Sequence, residues 1–93
     1  MARGAARLII RGNVQGVGYR WWARAEARRL GLAGWVRNRA DGTVELVAAG
    51  PAAALDQLAE VCRRGPRAAG VTSVERSEAS NQGVDSFEMR PTV

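Results

Sequence analysis

The chain has 93 residues, 46% of them apolar, and a formal net charge of +5 in which all 14 basic residues are arginine. That length makes one domain with a modest core that needs no metal or disulfide to hold it, and no apolar run is long enough to span a bilayer. The absence of histidine and lysine excludes histidine-based nucleophile activation and metal ligation, Schiff-base chemistry, and a Walker-type phosphate loop with its Gly-Lys pair.

Met1 to Ala6 carry no continuous apolar stretch of the secretory-signal kind, and Cys62, the single cysteine, permits no internal disulfide. A cytoplasmic location is therefore expected. The acidic residues are scattered singly, so neither a metal site nor a cofactor is expected. Positive charge favours anionic ligands by steering, which leaves nucleic acid and a small phosphorylated metabolite both open at this point.

In chain order, residues 1–6 read as a short N-terminal extension and 7–91 as the folded domain. Arg7 to Arg11 is short, β-rich and bounded by glycine, which predicts a strand. The segment Gly12-Asn13-Val14-Gln15-Gly16-Val17-Gly18-Tyr19-Arg20 follows as a loop. The run from Trp21 to Leu30 is rich in alanine, glutamate and arginine and predicts a helix. Tyr19, Ala23, Ala27 and Leu30 share one side of it, Arg24 and Arg28 lie opposite, and Gly31 stops it.

Gly34 to Arg39 and Thr43 to Ala49 flank Ala40-Asp41-Gly42 and read as a hairpin. A second helix begins at Gly50-Pro51, with proline at the first helical position, buries Leu55, Leu58, Ala59 and Cys62, and ends at Gly65-Pro66. Val71 to Ser77 and Phe87 to Arg90 read as two further strands, separated by the turn-rich Ser80-Asn81-Gln82-Gly83. The poor alternation in Val71 to Ser77 predicts a bulge or a sheet edge. The order βαββαβ, with a short strand added, suits a ferredoxin-like α+β sandwich with two helices on one face of an antiparallel sheet.

Two residues stand out chemically. Glycines let main-chain N–H groups converge in a concave turn, and a helix N-terminus adds partial positive charge. Arg20 belongs to that turn, although the helix dipole disfavours a cation there by roughly 0.3–1 kcal/mol. A bound anion reverses the sign of that penalty, and the planar guanidinium suits a phosphate or carboxylate. Asn38 is a poor strand former just before the hairpin turn. It reads either as a turn-flanking residue or as an amide that orients a water molecule without any shifted pKa.

The segment GNVQGVGYR, followed by GWVRNRADGTVELVAAG, resembles the paired signatures of the acylphosphatase family. Gly12, Val14, Gln15, Gly16, Val17, Tyr19 and Arg20 match the first pattern; Gly34, Trp35, Asn38, Gly42, Val44 and Gly50 match the second. Tyr19 stands where phenylalanine is commoner, and Trp21 and Trp22 are bulky for a first helical turn. They are expected to narrow the mouth of the site or to stack on an aromatic acyl group. The resemblance implies hydrolysis of acyl phosphates to carboxylate and inorganic phosphate by a monomer. It also implies that Arg20 binds the phosphate, that Asn38 orients the attacking water, and that main-chain N–H groups of Gln15, Gly16, Val17, Gly18, Tyr19 and Arg20 line the phosphate oxygens. No nucleic-acid or membrane partner is expected, and inorganic phosphate is expected as product or inhibitor.

The residue inventory agrees with such a reaction. With no histidine or lysine, and Cys62 in an apolar helical stripe, water must attack without a strong protein base. That requires a good leaving group such as a carboxylate. RNA recognition on a basic ferredoxin-like sheet is the first rival, but the strand aromatics reduce to Trp35 and Phe87 and the RNP1 pattern is missing. An anion sensor without turnover, or a module of a larger carbamoyl-phosphate-processing protein, is the second. Trp35 is expected to pack on the sheet, Arg37 and Arg39 to lie on a solvated strand face, and Glu26 to pair with an arginine.

Overall fold

Leu8 and Ile10 on one strand, and Val44, Leu46 and Ala48 on another, recur at every second position and are buried, so the strands present one apolar face. The structure, a computed structural model, describes residues 3–80 and 85–93. Along these run β1 (Arg3–Asn13), α1 (Tyr19–Arg29), β2 (Ala33–Asn38), β3 (Val44–Pro51), α2 (Ala52–Arg64), β4 (Gly70–Glu78) and β5 (Phe87–Met89). The strands form one sheet in the order β4-β1-β3-β2-β5. On its apolar face, α1 covers β2 and β5, while α2 covers β4, β1 and β3. This is the ferredoxin-like α+β sandwich.

Most differences from the sequence reading lie at element ends. Arg3 to Ala6, read as an extension, continue β1, because small Ala5 and Ala6 pair with Ala49 and Ala48 of β3. The first helix starts at Tyr19 rather than Trp21, because Gly18 takes the left-handed N-cap conformation (φ 77°) directly before it. Pro51 is the N-cap of α2, not its first helical residue, since its extended backbone still pairs with Arg3. β4 is an edge strand, and its pairing with β1 shifts register between Arg11 and Gly12. Residues 81–83 of the expected turn lie outside the described residues.

The sheet is mixed rather than wholly antiparallel. β1, β3 and β2 alternate in direction, and β4 runs antiparallel to β1. The chain leaves β4 at one edge and reverses, so β5 at the far edge runs parallel to β2, pairing Gly34, Trp35 and Val36 with Phe87, Glu88 and Met89. Beyond β5, Val36 O accepts from Arg90 N, Asn38 O from Val93 N, and Val93 O from Ala40 N. The C-terminal residues thereby pin the end of β2 on its outer side.

On the open face, Glu45 is almost fully buried and forms ion pairs with Arg7 and, at 2.8 Å, with Arg37. The Arg37 guanidinium also lies 4.6 Å from the Trp35 ring centroid, and that of Arg90 lies 4.9 Å from it. Trp35 packs on the sheet as expected. Arg37, expected on a solvated face, is instead held by Glu45 and Trp35, because neighbours on three strands converge there.

Candidate active site

The loop between β1 and α1 turns on Gly16 and Gly18, both in the left-handed region at φ 75° and 77°. A Cβ at either would meet nothing within 4 Å, so backbone conformation, not space, calls for glycine here. Gly18 provides no side-chain cap, and no acidic residue occupies the first turn of α1. The first helical hydrogen bond runs from Trp22 N to Gly18 O. The N–H groups of Tyr19, Arg20 and Trp21 therefore lack intrahelical acceptors and point along the positive end of the helix.

These residues open onto a hollow of about 210 Å³ lined by Val14, Gly16, Gly18, Tyr19, Arg20, Trp21 and Asn38. Arg20 is half-buried, and among the described residues no carboxylate pairs with its guanidinium. Asn38 ends β2 on the same face as fully buried Val36, two residues on, which directs it beneath the start of α1. Its Oδ1 is buried and has no hydrogen-bond partner among the described residues. An amide oxygen left that way costs about 1–3 kcal/mol, so it invites a donor from a ligand or water.

Of the residues expected at the site, Gly16, Gly18, Tyr19, Arg20 and Asn38 meet at this hollow; Gln15 and Val17 do not line it. Val17 packs against the core. Gln15 acts as a tie instead, because its Nε2 donates to Arg39 O at 2.8 Å and to Thr43 O at 2.9 Å. One amide thus joins the loop to both arms of the β2–β3 hairpin, and so fixes the loop relative to Asn38. Asp41 secures the turn itself by accepting from Thr43 N and Oγ1, bonds that hold its carboxyl below the usual range. Replacing Gln15 with alanine removes both ties, while Arg39 O keeps Gly42 N and Thr43 O keeps Arg39 N as main-chain donors; urea unfolding should show a loss of about 1 kcal/mol.

Tyr19 contributes to the hollow while its ring is core. The hydroxyl donates to Cys62 O at 2.7 Å, and burial raises its pKa far above the ordinary phenol value. Burial likewise pushes the Cys62 thiol up to about 11, so it stays protonated at neutral pH and is no nucleophile. The two tryptophans part company: Trp22 packs on Tyr19 with ring centroids 5.3 Å apart, whereas Trp21 is 61% exposed at the hollow.

A larger hollow of about 360 Å³ lies between β1, α2 and β4; Arg3 and Arg76 line it, but so does the carboxylate of Glu78, and Arg76 is already bonded to Asp56 at 2.8 Å. Chemistry rather than size selects the hollow at Arg20. Val14 and the side-chain role of Gln15 were missed from sequence, although both lie within the matched pattern; the only signal was that pattern itself.

Fold and hollow together define a ferredoxin-like domain with an anion-receptive loop at a helix N-terminus. The acylphosphatase family model matches residues 6–89. An acylphosphatase of Acidiphilium cryptum is 51% identical over 88 residues, covering 95% of this chain and 97% of that one. The crystal structure of acylphosphatase from Bacillus subtilis superimposes with a TM-score of 0.90 at 39% identity, covering 96% of this chain and 99% of that one. An acylphosphatase structure from Coxiella burnetii gives 0.91 at 35% identity, covering 95% and 93%. The chain belongs to the acylphosphatase family, and it is a hydrolase of that kind. Among the described residues, no helix is long and apolar enough to cross a membrane.

Proposed function

We propose that this chain hydrolyses the carboxyl–phosphate bond of small acyl phosphates, giving a carboxylate and inorganic phosphate. Arg20 and the free N–H groups at the start of α1 hold the phosphoryl oxygens. Asn38 Oδ1 accepts a hydrogen bond from the attacking water and aims it at phosphorus, in line with the departing carboxylate. The P–O bond to water forms as the P–O bond to the acyl oxygen breaks, and the electron pair leaves with the carboxylate. A phosphoryl oxygen of the substrate takes the proton, because the hollow is lined by no titratable base. Catalysis then consists of positioning and charge stabilisation.

One juxtaposition carries this reading: an arginine and a buried amide oxygen, both without a protein partner among the described residues, face the same hollow. An anion binder that did no chemistry would account for the first and leave the second unexplained. The residue types present also favour chemistry without a divalent cation, since histidine is absent and no acidic side chain lines the hollow.

A panel of benzoyl phosphate, acetyl phosphate, p-nitrophenyl phosphate and ATP, assayed with excess chelator, tests it. Turnover is expected for the two mixed anhydrides alone and at the same rate with or without chelator. Hydrolysis of the phosphate monoester at a comparable rate would refute the assignment.

A further inference from the structure

We propose that Trp21 forms an acyl-group subsite that selects for flat, aromatic acyl phosphates; this rests on the function proposed above. Trp21 is the most exposed large apolar side chain among the described residues, and it lines the hollow immediately beside Arg20. A solitary exposed hydrophobe is ordinary on a protein surface. This one differs in place and in order. Three residues along α1, the Arg24 guanidinium carbon sits 4.4 Å from the ring centroid and occupies one face of the indole. The ring is thereby held at the rim rather than left to rotate, and its second face remains to be covered.

The reaction geometry says what can cover it. Water held by Asn38 attacks phosphorus from within the hollow, so an in-line leaving group departs on the opposite, solvent side. The acyl group must therefore lie at the rim while its phosphate is bound. An aromatic acyl group there stacks on the indole, whereas an acetyl group is too small to cover it. Trp22 does not share this role, because it does not line the hollow and packs instead on Tyr19 against the core.

Stacking of this kind acts on bound substrate and transition state alike, so it appears in KM. The full chain, Trp21→Ala and Trp21→Phe should be compared by kcat/KM on benzoyl and acetyl phosphate, with circular dichroism melting as a check on the exposed-site substitutions. In Trp21→Ala the benzoyl-to-acetyl ratio of kcat/KM is expected to fall by about five-fold, through KM for benzoyl phosphate, as expected for the loss of one aromatic contact. Trp21→Phe should restore most of that ratio. A ratio unchanged in Trp21→Ala, or a phenylalanine variant as unselective as the alanine one, overturns the subsite and leaves the hydrolase reading standing. A parent chain inactive on both substrates overturns both.

Discussion

Arg20→Lys is expected to lose both turnover of acyl phosphates and competitive inhibition by inorganic phosphate, although the net charge stays at +5. The residue sits on the first turn of α1, where the unpaired N–H groups of Tyr19, Arg20 and Trp21 supply one set of donors and the guanidinium a second. A phosphoryl group presents several oxygens at fixed angles, and the planar fork can meet two of them at once. A lysine ammonium meets them as a point charge on a flexible stem, so the transition-state geometry is no longer prepared in advance. Losing one such oriented donor typically costs 10²- to 10³-fold in kcat, and a fall of at least about 100-fold is expected here by the same reasoning. Stability should change by less than about 0.5 kcal/mol, because among the described residues the guanidinium has no ion pair that the substitution would break. Steady-state kinetics with phosphate as inhibitor, alongside urea melts, separates the two effects. A lysine variant that still bound phosphate normally would show that charge alone suffices at this position, contrary to the proposed fork.

Why Arg20 and Asn38 were legible, and Gln15 only in part, follows from what one-dimensional patterns encode. Alternation in Val44, Leu46 and Ala48 and helical spacing in Tyr19, Ala23 and Ala27 report burial directly, and these residues are buried. Glycine-rich turns announce where a strand must end. Those signals located the loop, the hairpin and the two helices to within a few residues. Pairing across the sheet is a different matter. Gln15 meets carbonyls 24 and 28 positions away, and Glu45 is enclosed by Arg7 and Arg37 from two other strands. Nothing in the local pattern distinguishes Glu45 from an exposed polar neighbour such as Glu75. The parallel pairing of β5 was hidden for the same reason: three residues carry too little periodicity to encode a partner or a direction. Arg20 and Asn38 were individually weak signals, each against its local propensity. Topology brings them to one hollow, since β2 is the strand that α1 covers.

The second large effect is expected at Asn38, and it has the opposite signature in binding. In Asn38→Ala, kcat for acyl phosphates should fall by about 100-fold or more, comparable with removing one oriented catalytic donor. The inhibition constant for inorganic phosphate should stay nearly unchanged. The amide oxygen touches the attacking water and not the phosphoryl oxygens in the proposed geometry, so its loss is felt in the transition state rather than in ground-state binding. Stability supplies an independent reading of the same residue. Asn38 Oδ1 is buried without a partner among the described residues, a condition that costs the folded chain about 1–3 kcal/mol if nothing donates to it. Truncation removes that oxygen, while the β2 backbone remains held by Val93 N on Asn38 O and by pairing with Val44. The alanine variant should therefore be at least as stable as the parent, a trade of stability for activity that marks functional rather than architectural residues. A turn-supporting asparagine predicts the reverse: a lower melting temperature with turnover retained. Parallel melts and phosphate-inhibited kinetics on this one variant decide between the two.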